Sequence, residues 1–240
     1  MTTTATPVVP PADTTRPALV RTARTTGLLY LGVALTGGLA FLGIRGQLFV
    51  DGDPAATLAN LVDNEALARA GVVLEVGLVL TQVLCALRFF RLFRSVDAFA
   101  AGCIAVFGSI NAVAIMVSAA LLGTALDVAG GALDNPEAAA ETVQLLYLVS
   151  GNVWSVAGVF FGLWLIPMGW LAQRSGWMPA AMGWILVIGG VGYVLGAFVT
   201  YALLSAGAVA DMLAFPAAIG ELWMVGYLII VGVRRTAVPR

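Results

Sequence analysis

The chain has 240 residues, of which 60% are hydrophobic and only 10% charged, and its mean hydropathy is +0.98. Soluble domains carry about 25% charged residues, so this is the composition of a chain whose solvent is lipid. There is no His, and the twelve basic residues are all Arg, which excludes imidazole ligands for zinc or haem, a histidine base and a lysine Schiff base. The net charge of -1 provides no basic stripe for nucleic acid. No cofactor, metal or nucleic-acid partner is expected.

In chain order, residues 1–20 are rich in Thr, Pro and Ala and read as a disordered tail. Six apolar stretches follow: about Gly27 to Ile44, Leu67 to Leu87, Phe99 to Leu122, Val143 to Leu171, Ala180 to Leu204 and Pro216 to Val233. Each is long enough to cross a bilayer. The first exceeds the apolar core of a signal peptide and lacks a clear cleavage site before Arg45. The expected fold is all-α: a polytopic bundle of six transmembrane helices over residues 21–235, with a short external helix between spans one and two and a short tail over residues 236–240.

Six crossings put both termini on one side. Ten arginines fall there (Arg16, Arg21, Arg24, Arg88, Arg91, Arg94, Arg174, Arg234, Arg235 and Arg240), against Arg45 and Arg69 on the other. Basic loops resist translocation, so the termini are expected to be cytoplasmic, in a bacterial cytoplasmic membrane. Asp53 with Pro54 and Asn135 with Pro136 read as helix-opening pairs, and Pro179 and Pro216 as openings of spans five and six. Pro167 lies inside span four and predicts a bend near Leu163. Gly151, Ser155, Gly158 and Gly162 form one small-residue face and Gly192 with Gly196 another, both expected to pack within the chain. No internal repeat is evident.

Val159-Phe160-Phe161-Gly162-Leu163, then Gly169-Trp170-Leu171, Arg174-Ser175-Gly176, Pro179, Gly183 and Gly192-Tyr193, form a helix, tight turn and helix. With Gly27-Leu28-Leu29-Tyr30, Asn64-Glu65 and Gly220-Glu221-Leu222-Trp223, this pattern resembles a bacterial family of integral membrane proteins known as domain of unknown function 4386. The resemblance covers about Arg21 to Arg235 and implies a membrane fold without assigning an activity. Members of that family often carry a histidine near the place Trp164 occupies here, and another polar residue near Asn152.

Glu75 is the strongest chemical signal. It lies about eight residues from the external end of span two, roughly 12 Å deep, where a carboxyl must be protonated, paired or exposed to water. Gly71 and Gln82 share its helix face. Glu221, about five residues past Pro216, is expected roughly 8 Å deep. Asn111 and Asn152 lie near the middle of spans three and four, and Gln144, Ser150 and Ser155 extend the polar layer. Arg69 is placed for a surface pair with Glu65, and Arg45 is expected to reach out to headgroups. Cys85 and Cys103, on the reducing side, are read as packing thiols.

The reading that follows is a small permease or ligand-binding membrane protein with an externally open polar pocket. Its pocket residues are Glu75, Glu221, Gln82, Asn111 and Asn152, handling a proton or a polar or cationic solute. The alternative is a non-catalytic membrane subunit or scaffold in which the buried acids only hydrogen-bond helices together. An intramembrane enzyme is the least favoured of the three. Membrane lipids, and a second copy or a partner membrane protein, are the expected partners.

Overall fold

The computed structural model describes residues 15–202 and 207–234, and within them the chain is helical. The spans are α1 (Arg16–Leu48), α3 (Glu65–Phe93), α4 (Ala98–Ala132), α5 (Pro136–Ser175), α6 (Ala180–Ala202) and α7 (Gly207–Ile230); the short α2 (Pro54–Asp63) sits between the first two. Six of these helices are long and apolar enough to cross a membrane. The chain is a multi-pass integral membrane protein.

Its helix starts follow local chemistry. The Asp53 side chain accepts from the Ala56 backbone N–H at 2.9 Å, with Pro54 in the first turn. The Asn135 side chain does the same for Glu137 and Ala138 at the head of α5. Gly176 ends α5 in a left-handed conformation, φ 66°, which a residue without Cβ adopts freely, and Pro179 precedes α6. The turn between α5 and α6 is therefore as tight as its sequence implies.

Two boundaries differ from expectation. Arg16–Val20 belongs to α1 rather than to a disordered tail, with Pro17 in the first turn where its missing N–H costs nothing. The rest of that tail, Leu204 and residues 236–240 lie outside the described residues. Pro216 does not open the last span, which begins at Gly207 and runs through it. The preceding stretch is apolar and propagates the helix, and membrane helices tolerate Pro where neighbours satisfy the freed carbonyl. Pro167 lies inside α5, as expected, and the helix continues through it to Ser175.

Each span packs along the next in the chain, and α7 returns to α1, closing a ring of six. Aromatic side chains fill its centre. Trp164 of α5 is fully buried, with Tyr30 of α1 edge-on at 5.7 Å and Phe89 of α3 at 5.9 Å. The seam between α5 and α6 is made of reciprocal glycines: a Cβ on Gly162 would meet the Gly190 carbonyl and one on Gly190 the Gly162 carbonyl, with Gly169 and Gly183 paired the same way. On another face of α6, Gly192 meets the Leu213 carbonyl and Gly196 meets Ala210 of α7. Gly192 with Gly196 and, on the other face, Gly158 and Gly162 thus pack within the chain, while Gly151 meets the Arg45 side chain and Ser155 is exposed.

At the end bearing the termini, Trp177 stacks on Phe93, and its carbonyl accepts from the Tyr227 hydroxyl and the Arg234 N–H. At the opposite end α2 is pinned across the bundle. Thr57 Oγ1 donates to Gln144 Oε1 at 2.8 Å, and Gln144 Nε2 donates to the Val50 carbonyl at 3.1 Å.

Candidate functional site

Four helices converge on Glu75. Its carboxyl sits on the inward face of α3 with only 2% of the residue exposed, because Gly71, Leu78 and Gln82 keep that face buried along the helix. Trp154 of α5 donates its indole N–H to Glu75 Oε1 at 3.1 Å and shares it with Ser118 Oγ of α4, also at 3.1 Å. Ser118 and Ser150 of α5 are joined hydroxyl to hydroxyl at 2.7 Å. Arg45 of α1 donates to Ser150 Oγ at 2.9 Å and to the Tyr147 carbonyl. A hydrogen-bonded bridge thus joins a buried acid to a half-buried arginine.

Arg45 is where sequence reasoning went astray. It was expected to reach outward, yet its guanidinium turns inward, over the rings of Phe41 at 5.5 Å and Tyr147 at 5.6 Å. The reason is local: residues Leu39–Arg45 wind as a π-helix, whose wider turn rotates the following side chain away from the α-helical pattern. A π-bulge carries no strong sequence signature. The available hint was an Arg beside glycines, Gly43 and Gly46, on a helix otherwise without charge after Arg24. Arg69 does what its spacing implies, pairing with Glu65 at 2.6 Å on the exposed surface.

Glu221 stands elsewhere. Its Oε1 accepts from the Tyr30 hydroxyl at 2.5 Å, and the groups that feel its charge are Tyr30, Cys85 and Tyr193. Because α7 runs through Pro216, that proline is not the helix start from which the depth of Glu221 is counted in the sequence. The two acids therefore have separate partners. Among the predicted pocket residues, Gln82 is 1% exposed, two turns from Glu75 on the same face. Asn111 is buried on α4. Asn152 stands outside this arrangement: it is exposed, its side chain accepts from Tyr201 at 3.4 Å, and it lines a shallow apolar cleft with Ile110 and Phe160. A larger apolar cleft of about 430 Å³ opens beside Phe107, Pro167 and Trp184. Neither cleft includes a carboxyl.

Within the bundle, Glu75 Oε2, Gln82 Nε2 and Trp164 Nε1 are buried and find no hydrogen-bond partner among the described residues. No group of three or more Cys, Asp or Glu is placed to hold a metal ion among the described residues, and Cys85 and Cys103 are free thiols. The site is a buried carboxyl linked to Arg45 through Trp154, Ser118 and Ser150.

Neither the curated proteins nor the solved structures gave a match to the chain. One family did, over residues 25–232. With its membrane-spanning ring and most of its length covered, the chain belongs to the family described as domain of unknown function DUF4386.

Proposed function

We propose that this protein is a small proton-linked permease or ligand-binding membrane protein whose ionisable element is Glu75, with Arg45 as its counter-charge. The observation that carries the reading is the half-satisfied carboxyl: one oxygen is held by Trp154, while the other is buried without a partner. A buried polar group left unpaired costs about 1–3 kcal/mol, which a role for that oxygen in binding or proton exchange offsets. Ionisable groups inside a membrane mark ion or substrate pathways by default. The termini are placed in the cytoplasm, so that Arg45 and the bridge to Glu75 are approached from outside; the arginine asymmetry supports this.

Vesicles holding the purified protein and a trapped pH dye test the reading against a panel of polar and cationic solutes. Solute entry accompanied by protons in the wild type and lost in Glu75→Gln is expected. Dye traces that match empty vesicles for each solute would remove it.

A scaffold or non-catalytic subunit is the second reading. It is supported by the Tyr30–Glu221 bond, which ties the last helix to the first and leaves that carboxyl oxygen satisfied.

A further inference from the structure

The three unpartnered polar atoms are not scattered. Glu75 and Gln82 lie seven residues apart on one buried face of α3, about 10 Å along the axis. One turn beyond Gln82, Cys85 donates to the Thr26 carbonyl of α1, and one further turn on, Phe89 meets the Tyr30 ring edge-on at 5.4 Å. Tyr30 also meets Trp164 edge-on, and its hydroxyl donates to Glu221. Gln82 is therefore placed between the level of Glu75 and the level of the Tyr30–Glu221 pair, with Trp164 beside that pair.

Each unpartnered atom is at least nine-tenths buried: Glu75 is 2% exposed, Gln82 1% and Trp164 0%. Two are obligate donors and the third belongs to a carboxyl that donates or accepts. Buried water typically makes about three hydrogen bonds to otherwise unsatisfied groups. All three sit in the bundle interior, two of them on the α3 face that runs from Glu75 toward the level of the Tyr30–Glu221 pair and the third on the ring beside that pair, and a buried donor or acceptor without a protein partner is what bound water satisfies.

We infer that the bundle core binds a short chain of water between Glu75 and the Tyr30–Glu221 pair, anchored by Gln82 and Trp164, and that the two carboxyls are stations of one proton path. This rests on the proposed role of Glu75 and extends it to a second acid. The step conserves charge: protonated Glu75 gives its proton to the adjoining water, the last water gives one to the Glu221 carboxylate, and Glu75 is left ionised beside Arg45. The titratable groups electrostatically coupled to Glu75 are Arg45 and Tyr147; those coupled to Glu221 are Tyr30, which also bonds it, Cys85 and Tyr193.

Hydroxyl-radical labelling tests the water directly. The purified full chain in lipid nanodiscs is given brief X-ray pulses, which form radicals from water wherever it is bound, and oxidation is read by mass spectrometry. Trp164 is expected to label several-fold more than Met168 and Met182, which are equally buried in apolar surroundings, and Gln82→Leu is expected to lose that labelling. Trp164 as silent as the two methionines overturns the inference without requiring any variant to fold.

The proton step has its own readout. Glu221→Gln is expected to displace the infrared titration of the Glu75 carboxyl, and to have no such effect in the Gln82→Leu background. A Glu75 carboxyl that titrates identically with and without Glu221 removes the path but leaves the role of Glu75 standing. A Glu75 carboxyl that does not titrate removes both.

Discussion

The interior around Glu75 and the seam joining α5, α6 and α7 hold helices together by opposite means. In the seam, Gly162 faces Gly190, Gly169 faces Gly183 and Gly192 faces the Leu213 carbonyl, so backbones come into direct contact. Around Glu75 the helices are held apart by Trp154, Ser118, Ser150 and Arg45, and joined by hydrogen bonds. The first arrangement is direct backbone contact. The second leaves a carboxyl oxygen unpaired.

The contrast is broken most severely from the seam. Gly162→Leu drives a side chain into the Gly190 carbonyl with no flexible neighbour to yield, and should cost about 3 kcal/mol, seen as a large fall in melting temperature in detergent. Arg45→Met strips the Ser150 hydroxyl and the Tyr147 carbonyl of a charged donor and should cost about 2 kcal/mol. Arg45→Lys should restore little of it, because an ammonium does not reproduce two donors held in a plane between aromatic rings. A seam variant that melts like the wild type, or a lysine that rescues fully, would erase the distinction between the two regions.

Smaller effects sharpen it. Glu75→Gln keeps an acceptor for Trp154 and should stay within about 1 kcal/mol of the wild type, so that any lost function is chemical rather than structural. Asn152→Ala, on the exposed surface, should change stability by less than about 0.5 kcal/mol and leave every pH response intact. A pH response lost in Asn152→Ala would relocate the site to the bundle surface.

Much of this was legible in the sequence, and what was not has physical causes. Spans appear as long apolar runs because the bilayer demands about 20 residues. Asp53 and Asn135 announce helix starts because their side chains complete the first turn. Glu75 announces itself because a carboxyl is rare at that depth. Arg45 was misread because a π-helical segment changes the angular phase of the chain without changing its composition. Pro216 reads as a helix start but lies inside α7, because the residues before it continue the helix. The bridge through Ser118, Ser150 and Trp154 was only partly legible. Which serines meet depends on helix rotation, which a nearly uniform apolar composition does not encode. Asn152 shows the same gap from the other side, being polar, central by residue count and yet turned outward.

The central claim is that Glu75 is a buried acid that exchanges its proton under the influence of Arg45. pH-difference infrared spectroscopy on the protein in lipid measures this directly. A titrating carboxyl band is expected in the wild type, absent in Glu75→Gln and shifted to a different pH in Arg45→Met. Spectra that are the same in wild type and Glu75→Gln across the accessible pH range would contradict it.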